Sequence, residues 1–122
     1  YNGTPRGCTN CSEGGCARCN GAAAKCGEGL TECICLHAEE NAIVESGRGR
    51  AEGGTLYCTT APCLGCAKKI VQVGIQRVVY EREYSAKHDS QALLFSQAGV
   101  KYERLDINAV TPTIVSVNGI TV

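Results

Sequence analysis

The sequence has no apolar run approaching the ~20 residues that a bilayer-spanning helix requires, so no part of it reads as a membrane-crossing helix. It has no excess of either charge: 12 Lys and Arg stand against 12 Asp and Glu. The broad basic footprint that grips nucleic acid through its phosphates is therefore missing, and nucleic acid is not an expected partner, though a local basic pocket could still hold one small anion. Tyr1 to Gly7 lead into no apolar h-region, so the opening does not read as a signal peptide. There is no internal repeat and no low-complexity tract. The hydrophobic fraction of 43% is ordinary for a globular chain and gives no case for disorder. A length of 122 residues suits one domain with one modest core.

What is abundant is cysteine, ten in all. An even count in a short chain suits either a disulfide scaffold in an oxidising compartment or metal thiolates in a reducing one. Spacing favours metal, because Cys8-x-x-Cys11, Cys16-x-x-Cys19 and Cys63-x-x-Cys66 each set two sulfurs about one turn apart. That reading places the chain in the cytoplasm.

Three stretches make up the single domain, residues 1–35, 36–105 and 106–122. The first is rich in Gly, Cys and Asn and reads as irregular. The second alternates between helix and strand. Leu36 to Ser46 has helical spacing with Gly47 as a stop. Thr55 to Thr60 reads as a strand, and Cys63 to Val73 as a helix closed by Gly74. Gln76 to Tyr80 is the next strand. A helix capped by Asp89 or Ser90 carries Ala92, Leu93, Phe95 and Ala98 and ends at Gly99, and Val100 to Leu105 is a third strand. Such alternation predicts an α/β fold with a mostly parallel sheet covered by helices. In the tail, Asn118-Gly119 between β-branched runs is a two-residue hairpin signal.

The chemistry concentrates in His37-Ala38-Glu39 and Pro62-Cys63-Leu64-Gly65-Cys66. Zinc favours tetrahedral nitrogen and sulfur ligation, and a catalytic site leaves one position open for water. His37, Cys63 and Cys66 supply three ligands. The two cysteines fall at a helix start, where the dipole favours thiolate, and Pro62 sits where a missing N–H costs nothing. Glu39 is not needed as a ligand and can carry protons between water, a ring nitrogen and a departing amine. Each half alone is common, H-x-E in surface helices and C-x-x-C in structural zinc sites. Together they form the H-x-E…P-C-x-x-C pattern of zinc deaminases.

Here the sequence resembles the deoxycytidylate deaminases of the cytidine deaminase-like superfamily, and most closely the fungal-type members. The likeness runs through YNGTPRG (Tyr1 to Gly7), LHAEENAI (Leu36 to Ile43), TLYCTTAPCLGCAKKIVQVGI (Thr55 to Ile75), RVVYEREYS (Arg77 to Ser85) and LLFSQAGV (Leu93 to Val100). The HAE and PCxxC segments mark only the superfamily, whereas the YNGxPxG opening points to its nucleotide-using branch. The resemblance implies a three-layer α-β-α fold with a mixed, mostly parallel sheet. The family's N-terminal helix and first strand or two have no counterpart before Tyr1, and the tail hairpin would be free to fill that sheet edge. It further implies hydrolysis of dCMP to dUMP and ammonia, with a zinc-activated water attacking C4 and Glu39 as proton shuttle.

On this resemblance Asn2 contacts the nucleotide sugar, Arg48 and Tyr84 hold the 5′-phosphate, and the backbone at Ala38 and Ala61 lines the ring. A second, structural zinc is implied near the YNG segment. Cys11, Cys16 and Cys19 would be joined by Cys35 or Cys33, a closed thiolate site standing in for a missing core. A homo-oligomer, often a hexamer, with activation by dCTP and inhibition by dTTP, is also implied. Three rivals share the residues: a cytidine or deoxycytidine nucleoside deaminase, an RNA base deaminase, and a zinc-stabilised Cys-rich interaction module. Glu39 speaks against the last, since a purely structural site has no use for an acid beside an open metal position.

Overall fold

The computed structural model describes residues 1–21, 32–83 and 89–109, with the backbone of 116–117 and 120–121. Tyr84, expected at the phosphate, lies outside the described residues. The elements are α1 (Ala17–Asn20), α2 (Ala38–Ala51), β1 (Thr55–Thr60), α3 (Leu64–Val73), β2 (Arg77–Arg82), α4 (Ser90–Ala98), β3 (Lys101–Arg104), β4 (Ser116–Val117) and β5 (Ile120–Thr121), with short 3₁₀ turns at Cys11–Glu13 and Ile107–Ala109.

Strands β1, β2 and β3 form a parallel sheet in that order, with Thr55 opposite Arg77 and Arg77 opposite Lys101. The period of two puts Leu56, Val78 and Tyr102 on one face. There they meet Ala67, Ile70 and Val73 of α3, Phe95 of α4, and Ile43 and Ala51 of α2 in one core. Helix α3 earns its place through spacing: Cys66, Ala67, Ile70 and Val73 recur on one side and are all buried. It ends at Gly74, whose φ of 92° suits glycine alone and whose N–H closes onto the Ile70 and Val71 carbonyls.

Phe95 is fully buried and packs against Tyr102 with ring centroids 4.9 Å apart. It also sets which face of α4 turns inward. Four residues earlier, Gln91 is buried with it, while Leu93, expected among that helix's apolar positions, is 72% exposed. The three longer helices thus share one face of the sheet; on the other face Thr55, Tyr57 and Thr59 of β1 are exposed, while Val79 of the central strand is buried. Of the three layers expected, the described residues form two. The main sheet is wholly parallel. Among the described residues, antiparallel pairing is seen in a bridge between Gly3 and Leu36 and in the separate β4–β5 pair. That pair bears out the hairpin, but it forms its own two-stranded sheet and does not fill an edge of β1–β3.

Helix α2 departs from expectation at Gly47. The backbone there takes φ 66° and ψ 168°, a conformation tolerated essentially by glycine, yet the helix resumes and runs to Ala51. Gly47 is therefore a kink and not a stop. The extra turn is held because Ala51 enters the core and Arg48 reaches across to α3.

Candidate metal centre and active site

Two helix N-termini and one β-bridge assemble the site. Cys63 is the N-cap of α3, following β1 through the buried Ala61 and Pro62, so it emerges at the C-terminal end of a parallel strand, where α/β proteins commonly bind ligands. His37 is the N-cap of α2. Its Nδ1 lies 3.5 Å from the Cys63 Sγ and 3.3 Å from the Cys66 Sγ. With Zn–N and Zn–S bonds of roughly 2.0 and 2.3 Å, tetrahedral ligand atoms stand about 3.5 Å apart. The three side chains therefore converge as a zinc site requires, and Cys66 is fully buried beneath them.

The electrostatics suit a cation. Cys63 is brought down to about 5 by the Cys66 thiol and the Cys66 backbone N–H, helped by His37 and opposed by desolvation. Cys66 is pushed up by Cys63, by burial and by the charges of Glu39 and Glu40. The two sulfurs share one proton, which an incoming metal displaces. Glu39, in the first turn of α2, has its Oε2 3.7 Å from the Cys66 Sγ, so the carboxylate stands beside the metal position.

Some neighbours were not apparent from the sequence. Glu40 Oε1 is also 3.7 Å from the Cys66 Sγ, and its other oxygen pairs with Lys69 at 3.3 Å. Cys58 on β1 is half-buried, and its thiol is pushed up to about 12 by desolvation and by Glu39. Asn41 donates to the Tyr1 carbonyl at 2.8 Å, and only its position one turn after His37 hinted at that.

The remaining predicted residues divide. Paired N–H···O bonds between Gly3 and Leu36, at 3.1 and 2.7 Å, hold the YNG strand beside the His37 segment and set Asn2 opposite His37. Ala38 opens α2, and Ala61 is buried with its N–H donated to the Arg82 carbonyl at 2.8 Å. Arg48 is not brought to the site. Its guanidinium donates to the Gln72 carbonyl at 2.9 Å, near the C-terminal end of α3. The metal ligands sit at the other end of that helix, whose ten residues span about 15 Å. In this placement the guanidinium stands apart from the three metal-ligating side chains.

The cysteine-rich front forms a second cluster. Cys11, Cys16 and Cys35 come together, and so do Cys16, Cys19 and Cys33, with Cys16 common to both groups. The Cys33 Sγ lies 3.7 Å from that of Cys16 and 3.6 Å from that of Cys19, close to the ~3.8 Å edge of a zinc–tetrathiolate. Cys16 is brought down to about 6, mainly by the backbone N–H groups of Cys19 and Ile34. Cys35 is pushed up to about 12 by desolvation and by its bonds to Cys33 and Cys11. Both Cys33 and Cys35 reach the cluster, where the sequence reading asked for one.

These features define an α/β protein with a three-ligand His/Cys/Cys zinc-binding site and an acid beside it. The model of the cytidine and deoxycytidylate deaminase zinc-binding region matches residues 1–82. The chain belongs to that family. It is 55% identical over 102 residues to a deoxycytidylate deaminase of Schizosaccharomyces pombe, covering 83% of this chain and 31% of that protein. It is 52% identical over 101 residues to the Saccharomyces cerevisiae enzyme, covering 82% and 31%. The chain thus spans about a third of the length of these fungal relatives (31% of each). Among solved structures it is similar to the dCMP deaminase of cyanophage S-TIM5 in complex with dCMP and dUMP. The TM-score is 0.60 at 32% identity, over 85% of this chain and 68% of that one.

Proposed function

We propose that this chain catalyses hydrolytic deamination of deoxycytidylate to deoxyuridylate and ammonia. The observation that carries the reading is Glu39, whose carboxylate stands beside the His37, Cys63 and Cys66 ligand atoms. Zinc in that site supplies the Lewis acidity that makes a water nucleophilic near neutral pH. Glu39 takes the proton from the water and returns it, first to the ring nitrogen and then to the departing amine. Ala38 and Ala61 border the ring with their backbone, and Asn2, beside His37, meets the sugar. The names of the fungal and phage relatives support the substrate. The front cluster holds a second zinc that ties residues 1–21 to the catalytic helix. Action in the cytoplasm, homo-oligomerisation and regulation by dCTP and dTTP belong to the same reading, and titrating both nucleotides against the oligomer's activity tests the last two.

The placement of Arg48 favours one second reading, a nucleoside deaminase, because the cation expected to select a phosphate is engaged at the far end of α3. Incubation with dCMP, deoxycytidine and dATP, following ammonia release, decides between them. Preference for dCMP supports the proposal. Preference for deoxycytidine moves the substrate class and leaves the chemistry standing, and ammonia from neither sinks both.

A further inference from the structure

Among the described residues the front cluster gathers five sulfurs, and a tetrahedral zinc takes four. Cys16, Cys19 and Cys33 form a triangle whose two edges at Cys33, 3.7 and 3.6 Å, match a zinc–thiolate site. Their backbone is arranged accordingly, since N–H groups of Cys19 and Ile34 point at the Cys16 sulfur and the N–H of Cys35 points at that of Cys33. One position remains, with two sulfurs to fill it. Cys11 and Cys35 both lie within 4.8 Å of Cys16 and of each other. Whichever binds the ion leaves the other against it, unligated. Neither is fully buried, so a small oxidant reaches both.

Resting on the reading of the front as a zinc site, we propose that this site is oxidation-labile: peroxide joins Cys11 to Cys35, and the ion leaves. The unligated sulfur attacks the O–O bond, becoming a sulfenic acid as hydroxide departs. The fourth ligand then attacks that sulfur, and the S–O bond breaks as the S–S bond forms. Two thiols lose two electrons and two protons, and one hydrogen peroxide becomes two waters. The disulfide consumes the spare sulfur and the fourth ligand together, whichever residue held which role. Three thiolates remain, and the closed site is open. Loss of the front zinc removes the tie between Cys16, Cys19 and Cys33, and leaves the Gly3–Leu36 bridge and the Asn41 bond to hold Asn2 beside His37.

The test uses native mass spectrometry for zinc count, a chromogenic chelator for release, and peptide mapping for the disulfide. The parent protein should hold two zincs per chain. Peroxide should reduce this to one as a Cys11–Cys35 cross-linked peptide appears, and a thiol reductant with zinc should restore it. Cys11→Ser and Cys35→Ser should each keep two zincs, because four sulfurs remain, and each should release the front ion roughly tenfold more slowly under peroxide. The double variant should hold only one zinc, with far-UV dichroism confirming that the sheet and helices persist. A parent with one zinc overturns the front-site reading itself. Two zincs in the parent but one in either single variant overturns the interchange of Cys11 and Cys35. Zinc loss without the Cys11–Cys35 peptide overturns the switch.

Discussion

Glu39 and Arg48 show how far one residue's neighbours decide its role. Glu39 stands beside the ligand sulfur of Cys66, so Glu39→Gln should keep zinc and fold and lose turnover. The carboxamide is nearly isosteric but cannot accept and return a proton, and such transfer is worth ~10²–10⁴-fold. Metal analysis together with ammonia release checks this, and more than a tenth of parental activity would give the shuttle to another group. Arg48 is held by the Gln72 carbonyl, so Arg48→Ala should lower stability by about 1 kcal/mol, the scale of one such hydrogen bond. Urea unfolding measures that, and activity on dCMP and deoxycytidine should fall in parallel. A rise in KM for dCMP alone would instead give Arg48 the phosphate role. The contrast explains what was legible. His37, Cys63 and Cys66 announce themselves because ligand type and local spacing are chemistry written in short segments. Arg48 finds its partner 24 residues away, and nothing in Gly47-Arg48-Gly49-Arg50 specifies Gln72.

At the scale of elements, strands and helices were legible where side-chain period and glycine caps agree. The β1 strand and the Gly74 and Gly99 stops appear as expected, because a helix end in the left-handed conformation needs the residue that both places supply. Gly47 has the same chemistry and a different outcome: burial of Ala51 and the reach of Arg48 outweigh the local signal to stop. Nothing lies within 4 Å of a Cβ placed on Gly47, so the cost of Gly47→Ala is purely conformational, of order 1–3 kcal/mol. Thermal unfolding should register it, and a neutral result would mean that α2 straightens without penalty. Strand β1 carries a second test in Cys58, whose thiol is raised from 9.0 to about 12 by burial and by Glu39. The folded state holds that proton more tightly than the unfolded one. The resulting stabilisation is fully present below the unfolded pKa and is lost as pH rises through about 12. At roughly pH 8.5, Cys58 should therefore resist iodoacetamide in the folded protein while the exposed Cys8 reacts, since only thiolate is nucleophilic. Equal labelling of the two by peptide mapping would show that β1 opens.

For the whole molecule, the apolar core and the metal do different work. Beta strands β1 to β3 with α3 and α4 bury Phe95, Ile70 and Val78 completely, and Phe95→Ala should cost about 3–5 kcal/mol. Helix α2 shares less of that core, chiefly Ile43 and Ala51, and its N-terminus is joined to α3 through His37, Cys63 and Cys66. The YNG strand depends in turn on α2, through the Gly3–Leu36 bridge and the Asn41 bond to Tyr1. A hierarchy follows: core, then α2 by way of the metal, then the front. Any ligand that binds the folded state alone stabilises it, by about 2.7 kcal/mol at a hundredfold excess over its Kd. Chelation should accordingly lower Tm, and lowering pH should do the same by protonating the ligands. Hydrogen exchange locates the loss. After chelation, amides of residues 1–21 and of the first turns of α2 should exchange soonest, while those of β2, α3 and α4 keep their protection. His37→Ala should reproduce the pattern around α2 without chelator. Uniform loss of protection across β2 and α3 would mean that the metal holds up the whole fold, and that the core of Phe95, Ile70 and Val78 does not stand without it.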